Sequence, residues 1–260
     1  MISASLQTIR RITILSLVPV FGVLSLANQA HALPIATFNT SLGSFQVELR
    51  SDVAPLTVQN FINYVDSGAY NNTIIHRSVA NFIIQGGGYS GTGSPFLPST
   101  PPGHITQNAP VQNEFNLSNV AGTIAMAKLG NDPNSATSEW FFNLVDNSSN
   151  LNNQNGGFTV FGDVLGSGMD VINAIAAVPT FDISGAWGSA FTDIPLINFD
   201  LNTATQITMD NLVMINSVTV RAPEPATGML LLSGLGVAAM GARTKYRRRN
   251  QGATTQAPGA

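Results

Sequence analysis

The 260-residue chain contains no cysteine. That excludes disulfides, a thiol nucleophile and a thiolate metal site. Charge is also scarce, at 10% of residues, against roughly 25% in ordinary soluble domains. Only three histidines occur, His31, His76 and His104, and their scatter does not suggest a zinc site. Basic residues are nearly missing from the middle. Between residues 33 and 222 there are four, Arg50, Arg77, Lys128 and Arg221, against thirteen acidic residues. A mildly acidic chain is a poor general nucleic-acid binder. No internal repeat is visible. What is abundant is apolar material, 44% of the chain, enough for a full core.

The remaining cations sit at the two ends, and both ends read as addresses. Arg10 and Arg11 precede the apolar stretch Ile12–Leu26, and Ala30-His31-Ala32 offers a small-x-small cleavage site. Residues 1–32 therefore read as a secretory signal peptide, with an N-terminal membrane anchor as the alternative. At the other end, Pro223-Glu224-Pro225 is followed by an uncharged run, Gly228–Gly241, and then by Arg243, Lys245, Arg247, Arg248 and Arg249. An apolar run with a basic flank reads as a short membrane segment whose basic end stays cytoplasmic. The combined order, residues 223–249, resembles the PEP-CTERM sorting signal of Gram-negative bacteria. That resemblance implies export to the periplasm, cell surface or extracellular matrix, transient membrane anchoring and processing by an exosortase. The polar tail 250–260 departs from the pattern, since such signals usually stop at the basic cluster.

The middle, residues 33–222, reads as one mainly β domain. Phe45, Val47 and Leu49 alternate with polar neighbours, the period of a half-buried strand, and Ile35–Asn39 is its expected hairpin partner through Ser41-Leu42-Gly43. Pro55 opens a helix whose apolar face is Val58, Phe61, Ile62 and Val65, with Gly68 as its stop. Further strands are expected at Thr73–His76, Phe82–Gln85, Thr123–Lys128, Trp140–Leu144, Thr159–Val164 and Leu212–Val220, with a second helix around Met169, Ile172 and Ile175. Gly86–Pro110 and Pro179–Asp210 read as long loops. Many short strands with two helices suggest a closed barrel plugged by helices.

Gly86-Gly87-Gly88-Tyr89-Ser90-Gly91 fits a dinucleotide fingerprint, but Pro95, Pro98, Pro101 and Pro102 forbid the helix that must follow it. A flexible glycine loop is the preferred reading. The informative cation is Arg77, in His76-Arg77-Ser78-Val79-Ala80-Asn81-Phe82-Ile83-Ile84-Gln85. An arginine amid apolar strands is costly unless paired or at work. It is either a strand-end cap or a donor beside a pocket wall.

This segment resembles the core of the cyclophilins, a class of peptidyl-prolyl isomerases. So do Gln112-Asn113-Glu114, Gly122–Ala127, Asn134–Ser138 and Val160–Val164. The resemblance implies an eight-stranded antiparallel barrel capped by two helices. It also implies isomerase activity on X–Pro bonds of exported polypeptides, with no cofactor and no metal, in a protein acting as a monomer. It assigns Arg77 and Gln85 to catalysis. It assigns Phe82, Ile83, Ala127, Lys128, Glu139, Phe141, Leu151 and Phe158 to substrate binding. Glu139 stands where glutamine is usual, Asn150 falls near the position of the family's cyclosporin-contacting tryptophan, which implies weak binding of that drug, and Phe158 removes a polar group from the rim. Glu139 is expected within reach of Arg77, where it either pulls the guanidinium from the substrate, the preferred reading, so that Glu139→Gln or acid pH would raise activity, or holds it in register; the alternative is a carboxylate that points to solvent. The rival reading is a non-catalytic module that grips proline-containing segments; a weaker one is a structural matrix protein.

Overall fold

The computed structural model describes residues 32–93, 96 and 100–221. The signal peptide up to His31, residue 222, the sorting segment 223–249 and the polar tail lie outside the described residues.

Strands β1 (Ile35–Thr40) and β2 (Gly43–Leu49) form the expected hairpin. Thr40 closes its turn, the hydroxyl donating to the Gly43 carbonyl at 2.7 Å and accepting from the Leu42 amide at 3.1 Å. Phe38 and Phe45 face each other across the hairpin and their rings stack at 5.0 Å. Helix α1 (Pro55–Asp66) starts at proline, whose missing N–H costs nothing in a first turn. The Glu114 carboxylate caps it from a distance, accepting from the Leu56 amide at 3.1 Å and from the Thr57 amide and hydroxyl at 2.8 Å each. An anion there also complements the helix dipole. Gly68 ends the helix at φ 72°.

The next strands are β3 (Thr73–Ile74), β4 (Arg77–Val79), β5 (Ile83–Gly86), β6 (Thr123–Met126) and β7 (Trp140–Asn143). After a short helix α2 (Ser148–Leu151) come β8 (Val160–Val164) and helix α3 (Gly168–Ala176). The chain then makes β9 (Thr180–Phe181), helix α4 (Ser184–Trp187), β10 (Ile194–Pro195) and β11 (Met214–Arg221). The main sheet runs β3-β11-β1-β2-β8-β6-β7-β5-β4, with antiparallel pairing throughout. Its two edge strands are consecutive in the chain. Ile75 donates to the Val213 carbonyl at 3.0 Å on one side and His76 to the Gln85 carbonyl at 3.1 Å on the other. Thr73–Val79 is therefore one bent strand that shuts the sheet, and the barrel has eight strands. Phe38, Phe61, Trp140 and Phe142 pack its interior, where α1 and α3 also bury their apolar faces.

The segment Pro179–Asp210 is not the long loop expected. It carries β9, α4 and β10 and builds a second cluster around Trp187, Phe191, Ile194 and Leu196. Elements of two to four residues are too short to show a period, which is why the pattern is silent there.

Candidate active site

Residues opposite each other on paired strands point to the same side of the sheet. Arg77 on β4 faces Gln85 on β5, Gln85 faces Phe141 on β7, Phe141 faces Ala125 on β6, and Ala125 faces Val160 on β8. The adjacent rung, Ile84, Phe142 and Ile124, belongs to the barrel core. The Arg77 rung thus lies on the outer face. There Ile83, Ala125, Phe141, Leu151 and Val160 form a separate apolar cluster, joined by Phe82, Ala127 and Phe158. The turn before β5 sets Phe82. Asn81 takes φ 55°, and the Phe82 carbonyl accepts from the Leu144 amide at 3.0 Å and the Asn147 side chain at 2.9 Å. Leu151 ends α2, and its carbonyl receives the Phe158 amide at 3.1 Å, so the two share one wall.

Nine of the ten residues expected at the site line a single cavity of about 280 Å³: Arg77, Phe82, Ile83, Gln85, Ala127, Lys128, Phe141, Leu151 and Phe158. Asn150 and Gln154 complete its lining. Glu139 instead lines a neighbouring cavity of about 310 Å³ that shares Gln85, Ala127 and Lys128. Lys128 touches both, yet its ammonium is spent on protein groups, donating to the carbonyls of Gly157 at 2.6 Å and Asn155 at 2.8 Å.

The expected pairing of Arg77 with Glu139 is not found. Arg77 is half-buried and its Nε lies 3.5 Å from Asp193 Oδ2. Asp193 was not anticipated, because it comes from the segment whose elements are unreadable in sequence. Its backbone is fixed by the Ser78 amide, which donates to the Asp193 carbonyl at 2.7 Å. The reason Glu139 turns elsewhere is geometric. It precedes Trp140, which points into the core, and so shares the outer face with Phe141 and reaches Gln85. The Gln85 amide donates to Glu139 Oε2 at 2.7 Å. His76 Nε2 lies 3.4 Å from the same oxygen and His104 Nε2 3.2 Å from the other. The two histidines that look scattered in sequence therefore converge on one carboxylate. Glycine makes the room: a Cβ on Gly88 would sit 2.7 Å from Glu139 Oε1. The glycine run is close-packed around Glu139 and Trp140, so the expectation of a loose glycine loop is corrected.

Burial alone would raise the Glu139 pKa, but hydrogen bonding and charge from His76, with hydrogen bonds from Gln85 and His104, hold it at about 2. The carboxylate is ionised across pH 4 to 8, and the expected gain of activity on acidification has no basis.

The family description "Cyclophilin type peptidyl-prolyl cis-trans isomerase/CLD" matches residues 35–197. The chain belongs to the cyclophilin-type peptidyl-prolyl isomerases. Over 164 residues it is 40% identical to a peptidyl-prolyl cis-trans isomerase of Acinetobacter baylyi, covering 62% of this chain and 81% of that one. Over 155 residues it is 41% identical to isomerase B of Escherichia coli, covering 56% and 86%. A solved cyclophilin-type isomerase from Cryptosporidium parvum shares the fold, with a TM-score of 0.51 and 22% identity over 73% of this chain and 98% of that one. The isomerase also carries a PEP-CTERM protein-sorting motif at residues 221–249, starting two residues before the expected boundary. That motif, a signal addressed by exosortases, points to export and membrane-anchored surface localisation in a Gram-negative bacterium. The chain is an enzyme that acts on X–Pro bonds; the non-catalytic module is not favoured.

Two outcomes follow for the isomerase. The Arg77–Asp193 pair is partly exposed and contributes little stability, but it orients the guanidinium. Asp193→Asn is expected to lower kcat/KM about fivefold, the equivalent of ~1 kcal/mol, with the unfolding midpoint in urea nearly unchanged; wild-type kinetics in that variant would remove Asp193 from the site. Glu139 has a depressed pKa, so its stabilisation is present above the ordinary carboxylate value of 4.5 and lost as pH falls through about 2. Urea denaturation should show Glu139→Gln less stable than wild type at pH 7, with the gap closing toward pH 2. An equal gap at both pH values would show that the carboxylate charge is irrelevant.

Proposed function

We propose that the isomerase rotates X–Pro amides on the outer face of β4, β5 and β7, with Arg77 as the electrostatic catalyst. The amide resists rotation by ~18–20 kcal/mol because the nitrogen lone pair is delocalised into the carbonyl. A donor aimed at the prolyl nitrogen draws on that lone pair and weakens the double bond. Arginine suits this role because it stays charged and presents a rigid fork. Asp193 engages Nε, and among the described residues neither terminal nitrogen of Arg77 has a hydrogen-bond partner, which leaves the fork free for the twisted amide. Gln85 gives its NH2 group to Glu139, so its side-chain oxygen remains to accept from Arg77 or from the peptide. Phe82, Ile83, Phe141 and Leu151 grip the proline ring, and the half-buried backbone at Ala127, which lines the same cavity, receives the peptide chain. Catalysis is preferential binding of the twisted state; an acceleration of ~10⁵ would require about 7 kcal/mol of that preference. The observation that carries this reading is the single rung that sets Arg77, Gln85 and Phe141 side by side along one cavity walled by Phe82, Ile83, Leu151 and Phe158.

The same reading covers the ends of the chain. Removal of residues 1–32 would leave a mature chain starting at Leu33, two residues before β1. Residues 33–222 act as a monomeric isomerase domain. Residues 223–249 anchor it transiently in the inner membrane before exosortase processing, and 250–260 form a polar tail. The clients are proline-containing polypeptides that fold in the periplasm, at the cell surface or in the matrix.

A coupled assay on a proline-containing test peptide tests the chemistry. Arg77→Ala should abolish nearly all activity while the protein keeps its fold, and Arg77→Lys should be poor because an ammonium lacks the planar fork. Phe82→Ala and Phe141→Ala should mainly weaken binding, each removing apolar contact on the order of 1.5–3 kcal/mol. Wild-type turnover in Arg77→Ala would contradict the assignment.

A further inference from the structure

The loop between α2 and β8 holds its backbone in an unusual state. Asn155, Gly156 and Gly157 take φ of 49°, 74° and 75° in succession. Left-handed φ is costly for ordinary side chains, and this run is built from two glycines and an asparagine, the residues that adopt it most readily. Gly157 has no alternative, since a Cβ there would collide with the Phe115 ring. The run turns the carbonyls of Asn155 and Gly157 toward one point, and the Asn113 side-chain oxygen joins them. That point is occupied by the Lys128 ammonium, which donates at 2.8 Å, 2.6 Å and 3.4 Å to these three oxygens. All three of its N–H donors are used. The same nitrogen lies 4.8 Å from the centre of the Phe158 ring, within cation–π range. Phe158 in turn meets the pocket aromatic Phe141 edge-on, at 5.8 Å between ring centres.

We infer that Lys128 is a positioning residue, the resident cation of an oxygen cradle that fixes the Phe158 wall of the proline pocket. This replaces the expected direct contact of Lys128 with substrate and rests on the reading of that cavity as the proline site. The ammonium is compact, which suits a cradle of converging oxygens better than a planar guanidinium. Asn113 ties the cradle to the rest of the fold: its NH2 donates to the Gly156 carbonyl at 2.7 Å, and its oxygen also accepts from the Thr159 hydroxyl at 2.7 Å. Partial burial lowers the Lys128 pKa, with the nearby Asp132 acting the other way. Asp132 and Glu139 are the charged groups that line the shared cavity with it.

The test compares the mature wild-type protein with Lys128→Met and Lys128→Arg. Three readouts are needed: amide hydrogen exchange over residues 153–158, kinetics on a neutral proline peptide, and kinetics on the same peptide bearing an aspartate beside the proline. In Lys128→Met, exchange of the Gly157 and Phe158 amides should rise, and KM should increase about fivefold on both peptides with kcat nearly unchanged. Lys128→Arg should recover only part of the loss. Addition of methylammonium to a Lys128→Ala variant should restore exchange protection by refilling the cradle. A loss confined to the acidic peptide would mean that the ammonium meets the substrate itself, and the proposal would fall. Unchanged exchange in Lys128→Met would overturn it too. The exchange readout requires no turnover, so it separates failure of the cradle from failure of the catalytic assignment.

Discussion

Everything in this molecule depends on the two-sided nature of a β-strand. A side chain in β4, β5, β6 or β7 must face either the barrel core or the outside, and its neighbour must take the opposite side. Ile84, Phe142 and Ile124 go inward, where aromatic packing fixes the register. Gln85, Phe141 and Ala125 then have no choice but to go outward together, with Arg77 beside them. A slip of one residue would bury an arginine and turn Trp140 and Phe142 out of the core. The same packing that stabilises the barrel therefore assembles the site, and no separate device is required to bring four strands' worth of chemistry into one row.

The electrostatics follow from scarcity. The domain has few cations, and each that the structure describes at the site has an assigned anion or oxygen. Arg77 has Asp193, and Lys128 has backbone carbonyls. Glu139, the natural competitor for Arg77, is occupied by His76, His104 and Gln85. Its surroundings are built to hold it: Tyr70 donates to the Ser138 carbonyl at 2.7 Å and Asn60 to the Thr137 carbonyl at 2.7 Å, so α1 and the turn that follows it lock the approach to Glu139. A charge that would spoil the site if loose is harmless when its lone pairs are already engaged.

The hairpin, α1, α3 and the strands that flank the site are legible in the sequence because each is long enough to show its period, and a run such as Phe45, Val47, Leu49 leaves little choice. Arg77, Gln85, Phe82 and Phe141 were legible for a different reason, a resemblance spread over several ordered motifs. Asp193 was invisible. It sits in a stretch of two-residue strands and single helical turns, whose position is decided by the cluster of Trp187, Phe191 and Leu196 rather than by local pattern. The Glu139 network was hidden as well, because residues 76, 104 and 139 meet only after three segments have folded. Lys128 lines the cavity, and the oxygens that hold its ammonium come from a loop some 27–29 residues further on, which a sequence cannot bring to it.

The central claim is that the X–Pro bond turns where the outer row meets the Phe82–Phe141 wall. Exchange NMR on a labelled proline peptide with the mature protein tests both parts at once. The account predicts cis–trans exchange peaks that appear only with protein present, together with transferred contacts from the proline ring to the rings of Phe82 and Phe141. Exchange without those contacts would contradict it.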